Sequence, residues 1–249
     1  MSMSLQAIGT AVPQHYIEQA DAAAVAKTLC ASSTSQQQVL TRLYQRSGIR
    51  TRHSVVLQAS TNCKPAEQAF FLPAKNGGDA GPTTAERMVQ YEASAADLGL
   101  SAAREALAKA GTTPAEITHL ITVSCTGFHS PGIDVALVRE LGLNGGVART
   151  HIGFMGCHAA LNALRVAEAF TRSNSHACVL LCAVELCSLH YQYGFQLDQM
   201  ISNALFADGA AAAVLRGRDK EQTAGHNGWR WRGSASTIVP QTEDVMSWH

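Results

Sequence analysis

The sequence has no excess of charge of either sign. Its 19 lysines and arginines balance 19 aspartates and glutamates, which argues against nucleic acid or an acidic membrane surface as the main partner. Hydrophobic residues make up 46% of the chain and charged residues only 15%, a composition typical of a globular protein. No apolar run reaches the roughly 18 residues that a membrane span needs, and the N-terminus lacks the features of a secretory signal. We therefore expect a soluble, cytoplasmic protein.

The sequence also lacks the common disulfide, metal-binding and nucleotide-binding motifs. The seven cysteines are scattered and include no CxxC pair, which fits reduced thiols in the cytoplasm better than a disulfide framework. The ten histidines include no HExxH motif or other metal-ligand spacing. Neither GxxxxGK[ST] nor GxGxxG occurs, so the sequence offers no support for a nucleotide cofactor. We expect no metal or redox cofactor.

Segments with helical and strand patterns alternate along the chain, which predicts an α/β fold. The strongest helical pattern begins at Thr84, which we predict as its N-cap, and ends at Gly111. Residues 51–82 are polar and rich in glycine, proline and asparagine, which predicts a long irregular excursion. The apolar run "HACVLLCAVE" predicts a strand of a parallel sheet with both faces covered.

One cysteine stands where a strand is predicted to turn into a helix, in "HIGFMGCHAALNALRVAEAF" (residues 151–170). Unpaired N–H groups and the helix dipole at that position favour the thiolate of Cys157, and Gly153 and Gly156 permit tight backbone geometry. These features suit a nucleophile, although a small buried hydrophobic side chain is the commoner role of a free cysteine. His158 is adjacent on the helix and points elsewhere, so we predict a surface or packing histidine.

Three blocks in this order carry a resemblance: "VSCTGFHSPGIDVALVRELGL", "GFMGCHAALNALRVA" and "NALFADGAAAAVL". They resemble the type III polyketide synthases, that is, the chalcone and stilbene synthase family of the thiolase superfamily, and the bacterial members in particular. The resemblance implies an α/β thiolase-like fold layered αβαβα, with the first half complete and the second half largely missing. Residues 1–220 would form the N-terminal thiolase-like domain, and residues 221–249 would begin the C-terminal half.

The resemblance also implies roles for seven residues. Cys157 matches the cysteine that is acylated by a starter acyl-CoA and then holds the growing polyketide. Phe206 matches the aromatic gate between the CoA tunnel and the cavity. Cys125, Cys187 and His190 fall at cavity-lining positions. Arg42 and Arg46, at i and i+4 on one helix face, resemble basic residues that meet CoA phosphates, although a solvated basic face is an alternative.

The implied reaction is an acyl transfer to Cys157 followed by decarboxylative condensation with malonyl-CoA, in an enzyme that forms a homodimer at full length. The family's catalytic histidine and asparagine belong to its second half, so we expect this chain alone not to extend the acyl group. Two other hypotheses remain open at this point. One is a ketoacyl-acyl carrier protein synthase of the initiating type, and the other is a non-catalytic partner that keeps the fold and the cysteine.

Overall fold

The structure, a computed structural model, describes residues 2–58, 67–76, 78–218 and 229–242. Its strands are β1 (Ser2–Ala11), β2 (Tyr16–Glu18), β3 (Thr51–His53), β4 (His119–Ser124), β5 (Ala148–Gly153), β6 (Cys178–Leu186), β7 (Asp208–Arg218) and β8 (Trp229–Arg230). Its α-helices are α1 (Gln19–Cys30), α2 (Thr34–Arg46), α3 (Thr84–Ala110), α4 (Ile133–Leu141), α5 (Ala159–Ser173) and α6 (Leu197–Leu205). Short 3-10 turns cover Pro114–Glu116, Gly156–His158 and Cys187–His190.

Six strands form one mixed sheet in the order β5-β4-β6-β7-β1-β8. Strand β4 is parallel to both β5 and β6, whereas β6–β7, β7–β1 and β1–β8 are antiparallel pairs. The prediction of a parallel sheet around β6 is therefore correct for its pairing with β4 and wrong for its pairing with β7. The apolar run of β6 reflects two covered faces instead: Leu180 belongs to the core cluster beneath α3, and Leu181 belongs to the cluster beneath α5.

Helices cover both faces of the sheet. The long helix α3 packs across β1, β7 and β6 on one face, and α5 packs on the other. The approach of α3 is so close that a Cβ built on Gly9 of β1 would lie 2.2 Å from the backbone oxygen of Ala102, so only glycine fits there. The resulting three layers, α/β/α, correspond to one half of the expected αβαβα architecture.

Helix α3 begins one residue earlier than the sequence predicted. Its N-cap is Thr83, whose hydroxyl accepts a hydrogen bond from the Glu86 N–H, while the Glu86 side chain accepts one from the Thr83 N–H. This reciprocal capping box outweighs the simple preference for threonine at position 84. At the other end, Gly111 adopts the left-handed conformation with φ of 59°, as predicted for the stop.

A third cluster of buried side chains lies among α1, α2, α6 and residues 70–71. Beside it, β2 and β3 form a two-stranded ladder that the sequence did not predict, because three-residue strands are too short to show alternation. The expected irregular excursion after β3 is otherwise confirmed for residues 54–58, 67–76 and 78–82, apart from a single bridge between Gln58 and Glu67. The expected domain boundary near residue 220 lies outside the described residues and stays a prediction.

Two further findings concern the part of the chain that the structure describes. No helix there is both long enough and apolar enough to cross a membrane. At the far edge of the sheet, Trp229–Arg230 pairs with β1 and so extends the same sheet.

Candidate active site

Cys157 lies in the turn that joins β5 to α5. Two positive φ angles shape this turn, 54° at Phe154 and 61° at Gly156, while Gly153 ends the strand. The special backbone position predicted for Gly153 is therefore occupied by Phe154, and the left-handed conformation is strained for so bulky a side chain. Helix α5 is held against the sheet by a buried face that includes Ala159 and Ala163. The fixed helix and the tight turn leave the Cys157 thiol exposed.

His158 follows Cys157 but belongs to the surface of this turn. It is exposed, and its Nδ1 lies 3.3 Å from the carbonyl oxygen of Met155. Exposed aromatic side chains lie near the same turn: Phe154 contacts Phe128, with 6.0 Å between the ring centroids. The turn therefore presents the thiol on an apolar surface.

Two further thiols, of Cys125 and Cys187, lie close enough to interact electrostatically with Cys157 and with each other. Both are half-buried, at the ends of β4 and β6. Burial and the negative charge of Glu185 raise the pKa of each thiol to about 12. Both therefore stay protonated at neutral pH and are poor nucleophiles.

Glu185 is the polar centre of this cluster. Its carboxylate accepts hydrogen bonds from the backbone N–H of Cys125 at 3.0 Å, the N–H of Thr126 at 3.1 Å and the Thr126 hydroxyl at 2.6 Å. These three donors fix the carboxylate at the end of β4. The sequence interpretation did not include Glu185, although a single charged residue in the otherwise apolar run "CVLLCAVEL" was a usable signal.

His190 lies in the turn Cys187–His190, which follows β6. Its Nε2 donates a hydrogen bond to the Thr126 carbonyl oxygen at 2.6 Å, which connects this turn to the end of β4. Burial lowers the pKa of His190. The neutral imidazole is therefore the main form at pH 7 and above. The structure thus brings Cys125, Cys157, Cys187 and His190 close together, and the cavity-lining role of Cys125, Cys187 and His190 stays a prediction.

Phe206 lies at a neighbouring cavity of about 510 Å³. The cavity is lined mainly by apolar side chains, and Arg52, His53 and Ser188 supply polar groups. Phe206 follows the last residue of α6, and its backbone oxygen accepts a hydrogen bond from Arg52 at 3.3 Å. Phe206 is 40% exposed as a residue, so it is not an ordinary core aromatic residue.

Arg42 and Arg46 are separate from these groups. Both lie exposed on α2, and neither lines the cavity beside Phe206. Their exposed charges are free to meet an anion arriving from solvent, but the structure alone assigns them no role.

No site for a metal ion is found within the four described ranges, because no three His, Cys, Asp or Glu side chains there could hold one. The six described cysteines, which leave out only Cys63, are all free thiols. The titratable groups gathered at this site are three thiols, a carboxylate and an imidazole.

Comparison with known proteins identifies the architecture. A profile of the chalcone and stilbene synthase N-terminal domain matches residues 2–219. Over 240 residues the chain is 30% identical to the alpha-pyrone synthesis polyketide synthase-like Pks18 of Mycobacterium tuberculosis, covering 96% of this chain and 58% of that protein. Over 239 residues it is 33% identical to the 1,3,6,8-tetrahydroxynaphthalene synthase of Streptomyces griseus, covering 96% of this chain and 58% of that enzyme.

Solved structures agree with this. The C-terminal type III polyketide synthase domain of Steely1 from Dictyostelium superposes with a TM-score of 0.82 at 26% identity, covering 100% of this chain and 65% of that one. The 1,3,6,8-tetrahydroxynaphthalene synthase of Streptomyces coelicolor superposes with a TM-score of 0.77 at 30% identity, covering 97% of this chain and 63% of that one. The chain thus spans about three-fifths of the length of these relatives. It belongs to the chalcone and stilbene synthase family of type III polyketide synthases, of which it carries the N-terminal domain.

Proposed function

We propose that this chain is the acyl-loading part of a type III polyketide synthase, an acyltransferase that uses CoA thioesters. The thiolate of Cys157 attacks the carbonyl carbon of a starter acyl-CoA, a new thioester bond forms, and the CoA thiolate leaves. The observation that carries the proposal is the contrast among three neighbouring thiols. Cys157 is exposed in the turn before α5, whereas Cys125 and Cys187 are half-buried, and burial and Glu185 raise the pKa of both to about 12.

Two further features of the chain support a substrate of this class. The apolar cavity beside Phe206 offers room for the uncharged part of a thioester, and Arg42 and Arg46 offer exposed positive charge for the phosphates of CoA. No step needs a metal or redox cofactor, since thioester exchange is a nucleophilic substitution. The relatives reported above are polyketide synthases, which favours CoA thioesters over carrier-bound substrates.

Extension would follow loading. Malonyl-CoA loses carbon dioxide, and the resulting carbanion attacks the carbonyl carbon of the acyl group on Cys157, so that a carbon–carbon bond forms, the thioester C–S bond breaks and the Cys157 thiolate leaves. This step needs hydrogen-bond donors aimed at the developing oxyanion. The resemblance places these donors, a histidine and an asparagine, in the second half of the family's fold. We therefore propose that residues 2–219 carry loading but not extension.

The proposal also covers the cellular compartment and the oligomeric state of the protein. The free cysteines of the described ranges fit a reducing compartment, which supports a cytoplasmic protein. The exposed aromatic surface around Phe128 and Phe154 fits coverage by further protein. We propose a homodimer for the full-length form, with its oligomeric state measured by sedimentation.

Intact-mass spectrometry tests the loading step. The chain is incubated separately with acetyl-CoA, hexanoyl-CoA and benzoyl-CoA, and we expect a mass increase equal to one acyl group for at least one of them. Cys157→Ala should lose the adduct, whereas the matched variant Cys125→Ala should keep it. An adduct that survives in Cys157→Ala, or no adduct with any of the three thioesters, would contradict the proposal.

A further inference from the structure

Arg87 is a buried cation in the first turns of α3. Its side chain belongs to a residue that is only 6% exposed. The guanidinium donates to three backbone carbonyls: those of Leu189 and Tyr191 from Nη1, the latter at 3.2 Å, and that of Pro82 from Nε at 2.8 Å. Among the described residues it has no carboxylate as a hydrogen-bond acceptor. Its buried positive charge is therefore stabilised mainly by peptide carbonyls, and the nearby Glu86 carboxylate adds an electrostatic attraction.

Two of these carbonyls flank His190. Residues 187–191, which we call the wall segment, include Cys187, which interacts with Cys157, and His190, which is bonded to Thr126. They also include Ser188 and Tyr191, which line the apolar cavity. The wall segment therefore borders both the thiol cluster and the cavity.

The wall segment belongs to no strand or α-helix. A single 3-10 turn covers Cys187–His190, and the backbone then continues without a helix until Leu197. Its geometry thus depends on side chains from outside the segment. The guanidinium also lies over the ring of Phe71, 5.6 Å from the centroid, and Phe71 is itself a lining residue of the cavity. One side chain therefore holds two parts of the cavity wall.

We propose that Arg87 is a positioning residue that determines acyl-group selectivity, by holding the wall segment in place behind Cys187 and His190. This inference rests on the proposed acyl-loading function. A planar guanidinium with fixed donor directions can bond several carbonyls at once, whereas the single ammonium of lysine cannot reproduce that fork. A displacement of about 1 Å in such a wall is enough to change a reaction rate by roughly a hundredfold.

The test compares acylation of Cys157 in the unmodified chain, Arg87→Lys and Arg87→Met. Rates are measured by intact mass against concentration for acetyl-, hexanoyl- and benzoyl-CoA. We expect Arg87→Met to lose about tenfold or more for the preferred thioester and much less for the others, so that selectivity falls. Arg87→Lys should recover part of that selectivity. Arg104→Met, at an exposed arginine on the same helix, is the matched control and should behave like the unmodified chain.

A second readout does not depend on CoA chemistry. In a Cys157→Ala background, peptide mapping measures how fast Cys187 is alkylated by N-ethylmaleimide. Release of the wall segment should raise that rate about tenfold in Arg87→Met and leave it unchanged in Arg104→Met.

The outcomes separate the two proposals. If no thioester acylates even the unmodified chain, the loading function fails, and the alkylation rates alone decide whether Arg87 holds the wall. If loading occurs and Arg87→Met keeps both the unmodified selectivity and the slow alkylation of Cys187, Arg87 contributes only to stability and our inference is overturned. A lower melting temperature by itself does not support the inference, because a structural role would also produce it.

Discussion

Ser188 donates two hydrogen bonds to the buried carboxylate of Asp208, from its backbone N–H at 2.7 Å and from its hydroxyl at 2.6 Å. The N–H of Val55 donates a third at 2.8 Å. Burial raises the pKa of Asp208, although these donors act in the opposite direction. Because β7 begins at Asp208, the carboxylate connects that strand to the wall segment and to the loop after β3. Arg87 holds the wall segment beyond Ser188, so two separate side chains position it.

Replacing Asp208 with asparagine should destabilise the fold. The amide keeps one acceptor oxygen but places an NH2 group against buried donors, so at least one hydrogen bond is lost and its donor stays unpaired. We expect the free energy of unfolding to fall by about 2–4 kcal/mol. Urea denaturation measures this, with Asp97→Asn on the exposed face of α3 as the control. A loss below about 1 kcal/mol would show that the carboxylate is not a structural centre.

Glu185→Gln should make Cys125 more reactive. The negative charge of Glu185 contributes, after burial, to the raised pKa of the Cys125 thiol. Without that charge the pKa falls, and the thiolate fraction at a given pH rises. We expect alkylation of Cys125 by iodoacetamide at pH 8.5 to become roughly three- to tenfold faster, since one pKa unit corresponds to a tenfold change.

Cys182 is the internal control for this experiment. It is fully buried, and burial alone raises its pKa to about 12. Its alkylation should stay negligible in both proteins, because no charge near it has changed. Faster alkylation of both cysteines would instead mean that the substitution has loosened the fold. An unchanged alkylation rate of Cys125 would refute the electrostatic role of Glu185.

Ionisation of Glu116 should make the free energy of unfolding depend on pH in the acid range. The Thr113 N–H at 2.7 Å, the Arg216 guanidinium at 2.7 Å and the Thr113 hydroxyl hold the pKa of Glu116 at about 2. The folded pKa lies below the unfolded value of about 4.3. The ionised Glu116 carboxylate therefore stabilises the folded state above pH 4.3, and this stabilisation is lost as the pH falls through 2.

Glu116→Gln removes this dependence. Urea midpoints of the two proteins should differ most at pH 5–7 and converge between pH 4 and pH 2. Glu92→Gln, at an exposed glutamate on α3, should follow the unmodified protein across this range. A difference for Glu116→Gln that stays constant with pH would mean that an uncharged contact, rather than the carboxylate, is responsible.

Arg42 and Arg46 can be tested as phosphate contacts. If they meet CoA phosphates, the double substitution to alanine should raise the half-saturating concentration of acyl-CoA for Cys157 loading by roughly three- to tenfold, since exposed ion pairs contribute about 0.2–1 kcal/mol each. Loading from an acyl N-acetylcysteamine thioester, which carries no phosphate, should not change. Equal effects on both thioesters would point to a structural role for α2, and no effect on either would leave only a solvated basic face.

Much of the fold was predictable from local patterns. The helices at residues 34–46 and 84–110 begin at the side-chain caps Ser33 and Thr83, whereas the helix at 19–30 has no side-chain cap and follows from its alanine-rich sequence. The Cys157 turn follows from two glycines between a strand and a helix. The antiparallel pairing of β6 with β7 was not predictable, because a strand buried on both faces has the same apolar composition in either sheet type.

The polar partners of the site were harder to find. Nothing in the order of the residues places Glu185 beside the backbone of Cys125, 60 positions earlier, because that contact arises only when β6 pairs with β4. The same holds for Arg87 and Leu189, which are 102 positions apart. The left-handed backbone at Phe154 contradicts its intrinsic preference and is imposed by the turn between β5 and α5.

The position of β1 has a consequence for how the chain reaches this structure. It pairs with β7 in the register Ser2 with Arg218, so β1 gains its main partner only after about 200 further residues have been added. Pairs so distant along the chain carry a large loop-closure cost and slow folding. Until β7 emerges, β1 is an unpaired edge that invites aggregation.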